Sequence, residues 1–428
     1  MSNLQNTANT TSLLKCAQLV LPDRIERDMC LLLHNGKIVE IAAHIDPPQG
    51  ANIIDATHDI VMPGFVDTHV HGGNGADTMD ATPAAFATMS AFFAAHGVTG
   101  WLATTVTANQ NDIDTVLNVA QKVQTDGSLN GAKLLGVHLE GPYINTKWRG
   151  AQDATFVRPA NPAEYENWFA SGIVKLITMA PEAAPENLAL LDYALAHGAA
   201  VALGHTDCTY DQALTFFARG ANQSTHTFNA MRGLHHREPG LVGAVMDTPV
   251  YAQLIADGIH VHPAAMRALY QCKGATKLAV ISDAIRATGL GDGEYRMVDQ
   301  TVIVKDQVAR MPNGALAGSL LTMDVALRNI IHTTGCTLPE AALMCSHTPA
   351  ASIGMGHCKG KIALGYDADL VILDDRLCVK HTFTQGNIFS IKQENLDFDG
   401  FQQWHQQQKQ IDLDLDKARS SRLNDILK

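Results

Sequence analysis

Six side chains suited to metal binding or acid/base chemistry stand at or near the ends of short apolar stretches: His69, His71, Glu140, His205, His226 and Asp283. In Asp67-Thr68-His69-Val70-His71 the two-residue period of an extended chain puts both imidazoles on one face, where they can grip a single ion. Asp67 lies one step deeper on that face, placed to accept a ring N–H from a histidine and fix its tautomer. An H-x-H pair alone is a weak signal, and it gains force here from the strand end and the tight Gly72-Gly73 turn that follows. His138-Leu139-Glu140-Gly141-Pro142 offers Glu140 as a carboxylate able to bridge two cations, with His138 deeper on the same face and read as a core or supporting histidine. Gly204-His205-Thr206 and Thr225-His226-Thr227-Phe228-Asn229 supply two further imidazoles. Glu140, His205 and His226 together make a Glu/His/His set, a catalytic zinc ligation type that leaves one position for water. Ile281-Ser282-Asp283-Ala284 ends the series with a carboxylate. A bound metal lowers the pKa of water from about 16 to about 7, and an aspartate beside it can take the nucleophile's proton and return it to a leaving amine. Metal-assisted hydrolysis is the chemistry these residue types support. A single polar residue at a strand end could merely meet solvent, but five strands ending this way point to convergence.

Such convergence needs a scaffold that gathers strand ends. Apolar stretches of six or seven residues at 65–71, 99–105, 134–140, 174–180, 200–205, 223–228, 252–257 and 278–283 alternate with Ala-rich helical segments, the signature of repeated βα units. Eight of them predict an α/β fold, a (β/α)8 TIM-type barrel with its catalytic groups at the strand C-termini. The pattern at 13–62 is different, short and β-rich, with Asn35-Gly36 as a hairpin turn in what reads as an antiparallel sheet. The same texture returns in 360–373 and 379–390, so both chain ends are expected to build one small β-sandwich domain. The expected division is 13–62 and 358–390 for that domain, 63–357 for the barrel, and 391–428 for a polar, Gln-rich tail, helical or frayed, with no assigned role.

The chain has 428 residues, 46% of them hydrophobic and 17% charged, so core size is not limiting and the composition is that of a globular protein. Its 31 Lys and Arg against 43 Asp and Glu give a net charge of −12, which repels nucleic-acid phosphates and anionic lipid. An anionic substrate would therefore need a local group of Arg, His and backbone N–H. The first twelve residues lack the basic start and apolar stretch of a secretory leader, and no apolar run reaches the roughly 18 residues that span a bilayer. Eight scattered cysteines without a C-x-x-C read as reduced thiols, which makes the expected location cytoplasmic.

Taken together, the motifs resemble the amidohydrolase superfamily and, within it, the N-acetylglucosamine-6-phosphate deacetylases. The matching segments run from Pro63-Gly64-Phe65-Val66-Asp67-Thr68-His69 through His138-Leu139-Glu140-Gly141-Pro142 and Thr225-His226-Thr227-Phe228-Asn229-Ala230-Met231. They continue with Arg237-Glu238-Pro239-Gly240, Ala256-Asp257-Gly258-Ile259-His260, Ser282-Asp283-Ala284, Leu316-Ala317-Gly318-Ser319 and the late Gly365-Tyr366-Asp367-Ala368-Asp369-Leu370. The resemblance implies a divalent metal at Glu140, His205 and His226, with Asp283 as catalytic acid/base. His69 and His71 resemble the subset of the family that holds a second metal bridged by Glu140. Zinc is the first expectation, with iron and manganese as alternatives. The resemblance also implies substrate contacts at Ala151, Gln152, Asn229, Ala230, Asp257, Leu316, Ala317 and Gly318, and a phosphate-binding pair in Arg237 and His260. The resemblance further implies that the arginine of that pair is lent by the neighbouring subunit of a homodimer. After Gly150-Ala151 some relatives carry a histidine that helps polarise the acetyl carbonyl, where this chain has Gln152. An amide cannot become imidazolium, so more of the polarisation would fall to the metal, which suits a two-metal site.

Three other readings compete. A cyclic-amide hydrolase on the same barrel often uses a carboxylated lysine ending the fourth strand, but here that strand ends in Thr178-Met179-Ala180 and Lys175 sits at its other end. A silent sugar-phosphate-binding barrel would be expected to lack a ligand or Asp283, and none is missing. The galactosamine epimer of the substrate differs only at the C4 hydroxyl, and no residue in the sequence decides between the two.

Overall fold

A computed structural model of the chain describes residues 11–298 and 300–390; the first ten residues and the tail expected at 391–428 lie outside them. The described residues open with β1 (Thr11–Val20), β2 (Ile25–His34), β3 (Lys37–Ala42) and β4 (Asn52–Pro63). Asn35 and Gly36 take φ of 50° and 75°, the left-handed pair that a two-residue hairpin turn requires.

Strand and helix then alternate eight times. The barrel begins with β5 (Phe65–Val70), followed by the small hairpin of β6 (Gly72–Gly73) and β7 (Ala76–Asp77). Its other strands are β8 (Val98–Thr104), β9 (Lys133–Glu140), β10 (Val174–Met179), β11 (Ala200–Leu203), β12 (Gln223–Ser224), β13 (Tyr251–Ile255) and β14 (Leu278–Ile281). They pair in sequence order as one parallel sheet. Beyond the last strand, Asp283 N–H donates to His69 C=O at 2.9 Å and His71 N–H to Ala284 C=O at 2.8 Å, which joins the two edges where the ligands sit. Helices follow each strand, from α1 (Pro83–Ala95), whose Thr82 hydroxyl accepts Ala85 N–H and whose first residue is proline, to α8 (Met323–Thr334). Inside the barrel, Val66, Leu102, Leu135, Leu176 and Ala202 pack with Ala350 and Ile353 as an apolar layer. That layer fills the barrel below the site, so the polar strand ends are confined to one mouth.

Between β14 and α8 the chain inserts a three-stranded antiparallel sheet, β15 (Gly293–Met297), β16 (Gln300–Lys305) and β17 (Val308–Arg310), with its own core of Met297, Val302, Val304 and Ala309. The sequence reading did not identify this insertion, although the alternation in Thr301-Val302-Ile303-Val304-Lys305 carries its signal. After the helices, β18 (Leu370–Leu373), β19 (Val379–Thr384) and β20 (Asn387–Ser390) return to β4. Both chain ends thus form one seven-stranded sheet in the order β20-β19-β18-β4-β1-β2-β3. It is mixed where antiparallel pairing was expected, because the 43–51 connection carries the chain past β1 so that β4 pairs with it in parallel. Leu14, Leu31, Val61, Leu370 and Phe383 share its core.

Candidate active site

Three barrel strands stop two residues short of the side chain they deliver. β11, β12 and β14 end at Leu203, Ser224 and Ile281, whereas the sequence suggested strands running through His205, Phe228 and Asp283. His205, His226 and Asp283 instead adopt φ of 50°, 27° and 51°. This left-handed region costs a non-glycine residue about 1–3 kcal/mol and concentrates at functional sites. The turn takes each side chain out of the strand's up-and-down alternation and into the barrel mouth.

The structure brings His69, His71, Glu140, His205, His226 and Asp283 into one buried cluster. Glu140 Oε1 lies 3.3 Å from His69 Nε2, 3.1 Å from His205 Nε2 and 3.2 Å from His226 Nε2, and the last two nitrogens are 3.1 Å apart. Glu140 Oε2 and Asp283 Oδ1 each lie 3.3 Å from His71 Nε2, and Asp283 Oδ1 is 3.5 Å from His69 Nε2. Ligand atoms about 2 Å from a common ion at near-tetrahedral angles are about 3.3 Å apart, so these spacings are those of coordination edges. Two sets have the donors to hold a cation, His69/His71/Glu140 and Glu140/His205/His226, and they share Glu140. His69 Nε2 is buried without a hydrogen-bond partner, an orphan that a metal would satisfy.

The Nδ1 atoms of His69, His71 and His205 have partners that leave Nε2 free, whereas His226 Nδ1 is buried with no hydrogen-bond partner among the described residues. His69 Nδ1 faces Gln253 Oε1 at 3.1 Å, His71 Nδ1 faces Thr104 C=O at 3.2 Å and His205 Nδ1 faces Trp148 C=O at 2.8 Å. Each acceptor requires a proton on Nδ1, so that a neutral ring turns its Nε2 lone pair toward the cluster. Gln253 Nε2 donates to Gln223 Oε1 at 3.1 Å, which fixes the sense of the amide. The role expected of Asp67 is corrected here. Its carboxylate accepts the Ser282 hydroxyl at 2.5 Å and the backbone N–H groups of His69 and Ser282 at 3.3 Å, and reaches no histidine ring. Two residues deeper on the strand, it faces the seam with β14, and Gln253 takes over the tautomer-fixing role. Period-two spacing in 252–257 puts Gln253 on one face with Ile255 and Asp257, a polar group inside an apolar strand and the signal that could have found it.

Burial opposes the charge on Glu140, but the charge of His69 and hydrogen bonds from His205 and His226 hold its carboxyl well below the usual range. Asp283 is lowered for the same reason, by His69 and His71 against its own burial. His69 and His71 are raised despite burial, because both carboxylates face them. The cluster thus retains protons where a divalent cation would stand. Burial pushes Asp67 up to about 6, against its hydrogen bonds. His138, driven well down by burial and then by the charge of His69, donates to or accepts from Thr178 Oγ1 at 2.7 Å and stays beneath the cluster.

The residues expected to contact substrate fall around this mouth. Gln152 is buried; its Nε2 donates to Glu140 Oε2 at 2.6 Å while its Oε1 accepts Thr107 N–H at 2.6 Å. Ala151 C=O accepts the Gln300 side-chain amide at 3.0 Å. The Asn229 amide donates to His226 C=O at 3.2 Å, and Ala230 C=O accepts Thr206 N–H at 3.1 Å. Asp257 holds His260, with Oδ2 2.6 Å from Nδ1 and Oδ1 accepting the His260 backbone N–H, and raises that imidazole against its burial. Leu316, Ala317 and Gly318 run past Asp283, whose C=O accepts Ser319 N–H at 2.7 Å. Gly318 takes φ of 53°, and a Cβ there would stand 2.8 Å from Asp283 O. Arg237 is exposed, its guanidinium 2.7 Å from His236 Nε2 and outside the buried cluster. Lys175 reaches Gly172 C=O at 2.9 Å, at the far end of its strand.

The model of the Amidohydrolase family matches residues 60–392. An N-acetylglucosamine-6-phosphate deacetylase of Vibrio furnissii is 40% identical over 358 residues, 83% of this chain and 88% of that protein. An N-acetylgalactosamine-6-phosphate deacetylase of Escherichia coli O157:H7 is 36% identical over 384 residues, 89% of this chain and 100% of that protein. The crystal structure of the Thermotoga maritima N-acetylglucosamine-6-phosphate deacetylase superposes with a TM-score of 0.80 at 33% identity, covering 89% of this chain and 100% of that one. The chain belongs to the amidohydrolase family and, within it, to the N-acetylglucosamine-6-phosphate deacetylases.

Proposed function

We infer that this chain is a metal-dependent hydrolase that removes the acetyl group of N-acetylglucosamine-6-phosphate, releasing acetate and glucosamine-6-phosphate. The observation that carries the reading is the Glu140/His205/His226 triangle with Asp283 across from it, at the mouth of a barrel whose relatives bear that activity. We assign Glu140, His205 and His226 to one divalent ion and His69, His71 and Glu140 to a second. Such an ion supplies Lewis acidity toward the acetyl carbonyl and lowers the pKa of water. Asp283, ionised and buried, takes the proton of the attacking water and passes it to the departing amine as the C–N bond breaks. Gln152 has one amide hydrogen left after Glu140, enough to donate to the carbonyl oxygen as negative charge builds there. Asn229, Ala230 and the 316–318 segment line the sugar, and His260, held by Asp257, faces the phosphate.

Zinc is our first assignment for the metal, with iron and manganese next, since histidine and carboxylate suit all three. We place the protein in the cytoplasm as a homodimer, with Arg237 completing the phosphate site of the neighbouring subunit. Its exposure away from its own cluster supports that role, and eight free cysteines fit a reducing compartment. Among the described residues no helix is long and apolar enough to cross a membrane. We divide the chain into a barrel at 63–357 and a terminal β domain at 13–62 and 358–390. The galactosamine epimer is a second reading, favoured by the Escherichia coli relative. Acetate release from the two epimers, assayed side by side with chelated and metal-reconstituted protein, tests the function. Metal-dependent release faster from the gluco substrate is expected, and no release from either would overturn it.

A further inference from the structure

Asp207 lies two residues beyond His205 and belongs to none of the groups so far assigned. Its Oδ1 accepts the Trp148 indole N–H at 2.9 Å and Arg232 Nε at 3.2 Å, and its Oδ2 accepts Lys147 Nζ at 2.8 Å. Trp148 belongs to the loop after β9 and Arg232 to the loop after β12, so one carboxylate from the loop after β11 grips both neighbours. The grip closes a circuit on the metal cluster, because the carbonyl of the same Trp148 accepts His205 Nδ1 at 2.8 Å. His205 and Asp207 therefore hold one tryptophan from two sides. On the other flank, Thr206 N–H donates to Ala230 C=O at 3.1 Å and Arg232 N–H to Thr206 C=O at 3.3 Å, a short ladder beside Asn229 and Ala230. Glu182, from the loop after β10, supports the arrangement from beneath, accepting Asp207 N–H at 2.6 Å, Asn145 Nδ2 at 2.8 Å and the Thr206 hydroxyl.

We propose that Asp207 is a positioning residue that sets the His205 imidazole through Trp148 and the 229–237 substrate loop through Arg232. The proposal rests on the reading of His205 as a metal ligand and of 229–237 as a substrate loop. A carboxylate is specifically required, since three donors converge on it and two of them are cationic. An asparagine of the same shape would offer one acceptor oxygen and point an N–H at a cation.

Asp207→Asn in the full-length, zinc-reconstituted protein is the test. Zinc affinity, read by competition with a chelating dye, should fall about tenfold, in line with other residues that orient metal ligands. KM for N-acetylglucosamine-6-phosphate should rise about tenfold, the loss of one charge-assisted hydrogen bond, with kcat nearly unchanged. Two single-arm variants separate the effects and serve if Asp207→Asn fails to fold. Trp148→Phe should weaken zinc and spare KM, whereas Arg232→Met should raise KM and spare zinc. Zinc affinity and KM both within twofold of wild type in Asp207→Asn, or in both single-arm variants, would overturn the proposal. Zinc binding by the wild type is measured first: a chain that holds no ion fails the ligand reading itself, and the inference with it.

Discussion

At the scale of single residues, the cluster divides labour by environment. Asp283 and Glu140 are both buried carboxylates held ionised by imidazoles, but Glu140 faces four histidine nitrogens and the Gln152 amide, whereas among the described residues Asp283 is within ion-pair distance of His69 and His71. That contrast supports the proposed assignment of Glu140 to the cations and of Asp283 to the proton. Asp283→Asn should lower kcat by about 10²–10⁴ with metal content unchanged, read as acetate release per bound ion. The two donor sets that share Glu140 predict that activity of the stripped protein saturates at two equivalents of metal per chain, and full rate at one equivalent would sink the two-metal assignment. Metal affinity should also weaken as pH falls, because imidazole and carboxylate ligands must shed protons to bind; a titration at several pH values checks the sign.

At the scale of elements, the site depends on loops fastened to strand ends and on a sheet far from the chemistry. Gly318→Ala would set a Cβ 2.4 Å from Ile285 Cγ2 and 2.8 Å from Asp283 O in a left-handed backbone. The 316–318 segment must then shift off Asp283, and kcat/KM should fall at least tenfold with the melting temperature little changed. Beside the terminal sheet, just before β18, buried Lys359 bridges Asp367 Oδ2 at 2.8 Å and Asp369 Oδ2 at 2.6 Å. Lys359→Met leaves buried Asp369 without its ion-pair partner, while Lys37 Nζ, 2.6 Å from Asp367 Oδ1, still faces Asp367, and should cost up to about 3–5 kcal/mol in denaturant unfolding. Burial opposes the Lys359 charge, but the two aspartates raise it above its ordinary 10.5, and against its own burial Asp367 is lowered below 3.8 by Lys359 and then by Lys37. Stability from the raised lysine is complete below its unfolded value and is lost as pH rises through the folded one. Stability from the lowered aspartate is present above its unfolded value and lost as pH falls through the folded one. The gap between wild type and Lys359→Met should therefore be flat from about pH 4 to 10 and close on either side.

At the scale of the whole molecule, a net charge of −12 works against an anionic substrate, so the phosphate must be met by a local concentration of cations. One chain offers His260 inside and Arg237 outside, and the proposed dimer brings them together. Arg237→Ala should raise KM for the phosphorylated sugar with little change in kcat. Mixing it with Asp283→Asn and allowing subunits to exchange should restore part of the activity, since one hybrid site has both Asp283 and Arg237. Failure to restore any activity on proven exchange would place Arg237 in its own subunit's site.

The amino-acid order by itself determined the eight βα units, the two-ended β domain and the identity of the residues now found in the cluster. Those features are local: apolar stretches bounded by turn residues, an H-x-H on a period of two, polar groups ending hydrophobic strands. The tertiary structure alone decided which atoms face one another. Gln253 and Trp148 C=O orient His69 and His205 from 184 and 57 residues away, and Asp67 turns to Ser282, 215 residues on. Nothing in strand periodicity encodes a hydrogen bond across the barrel. Nor does it encode the left-handed turns of His205, His226 and Asp283, which run against their intrinsic preference and persist because neighbouring strands and loops fix the backbone on both sides.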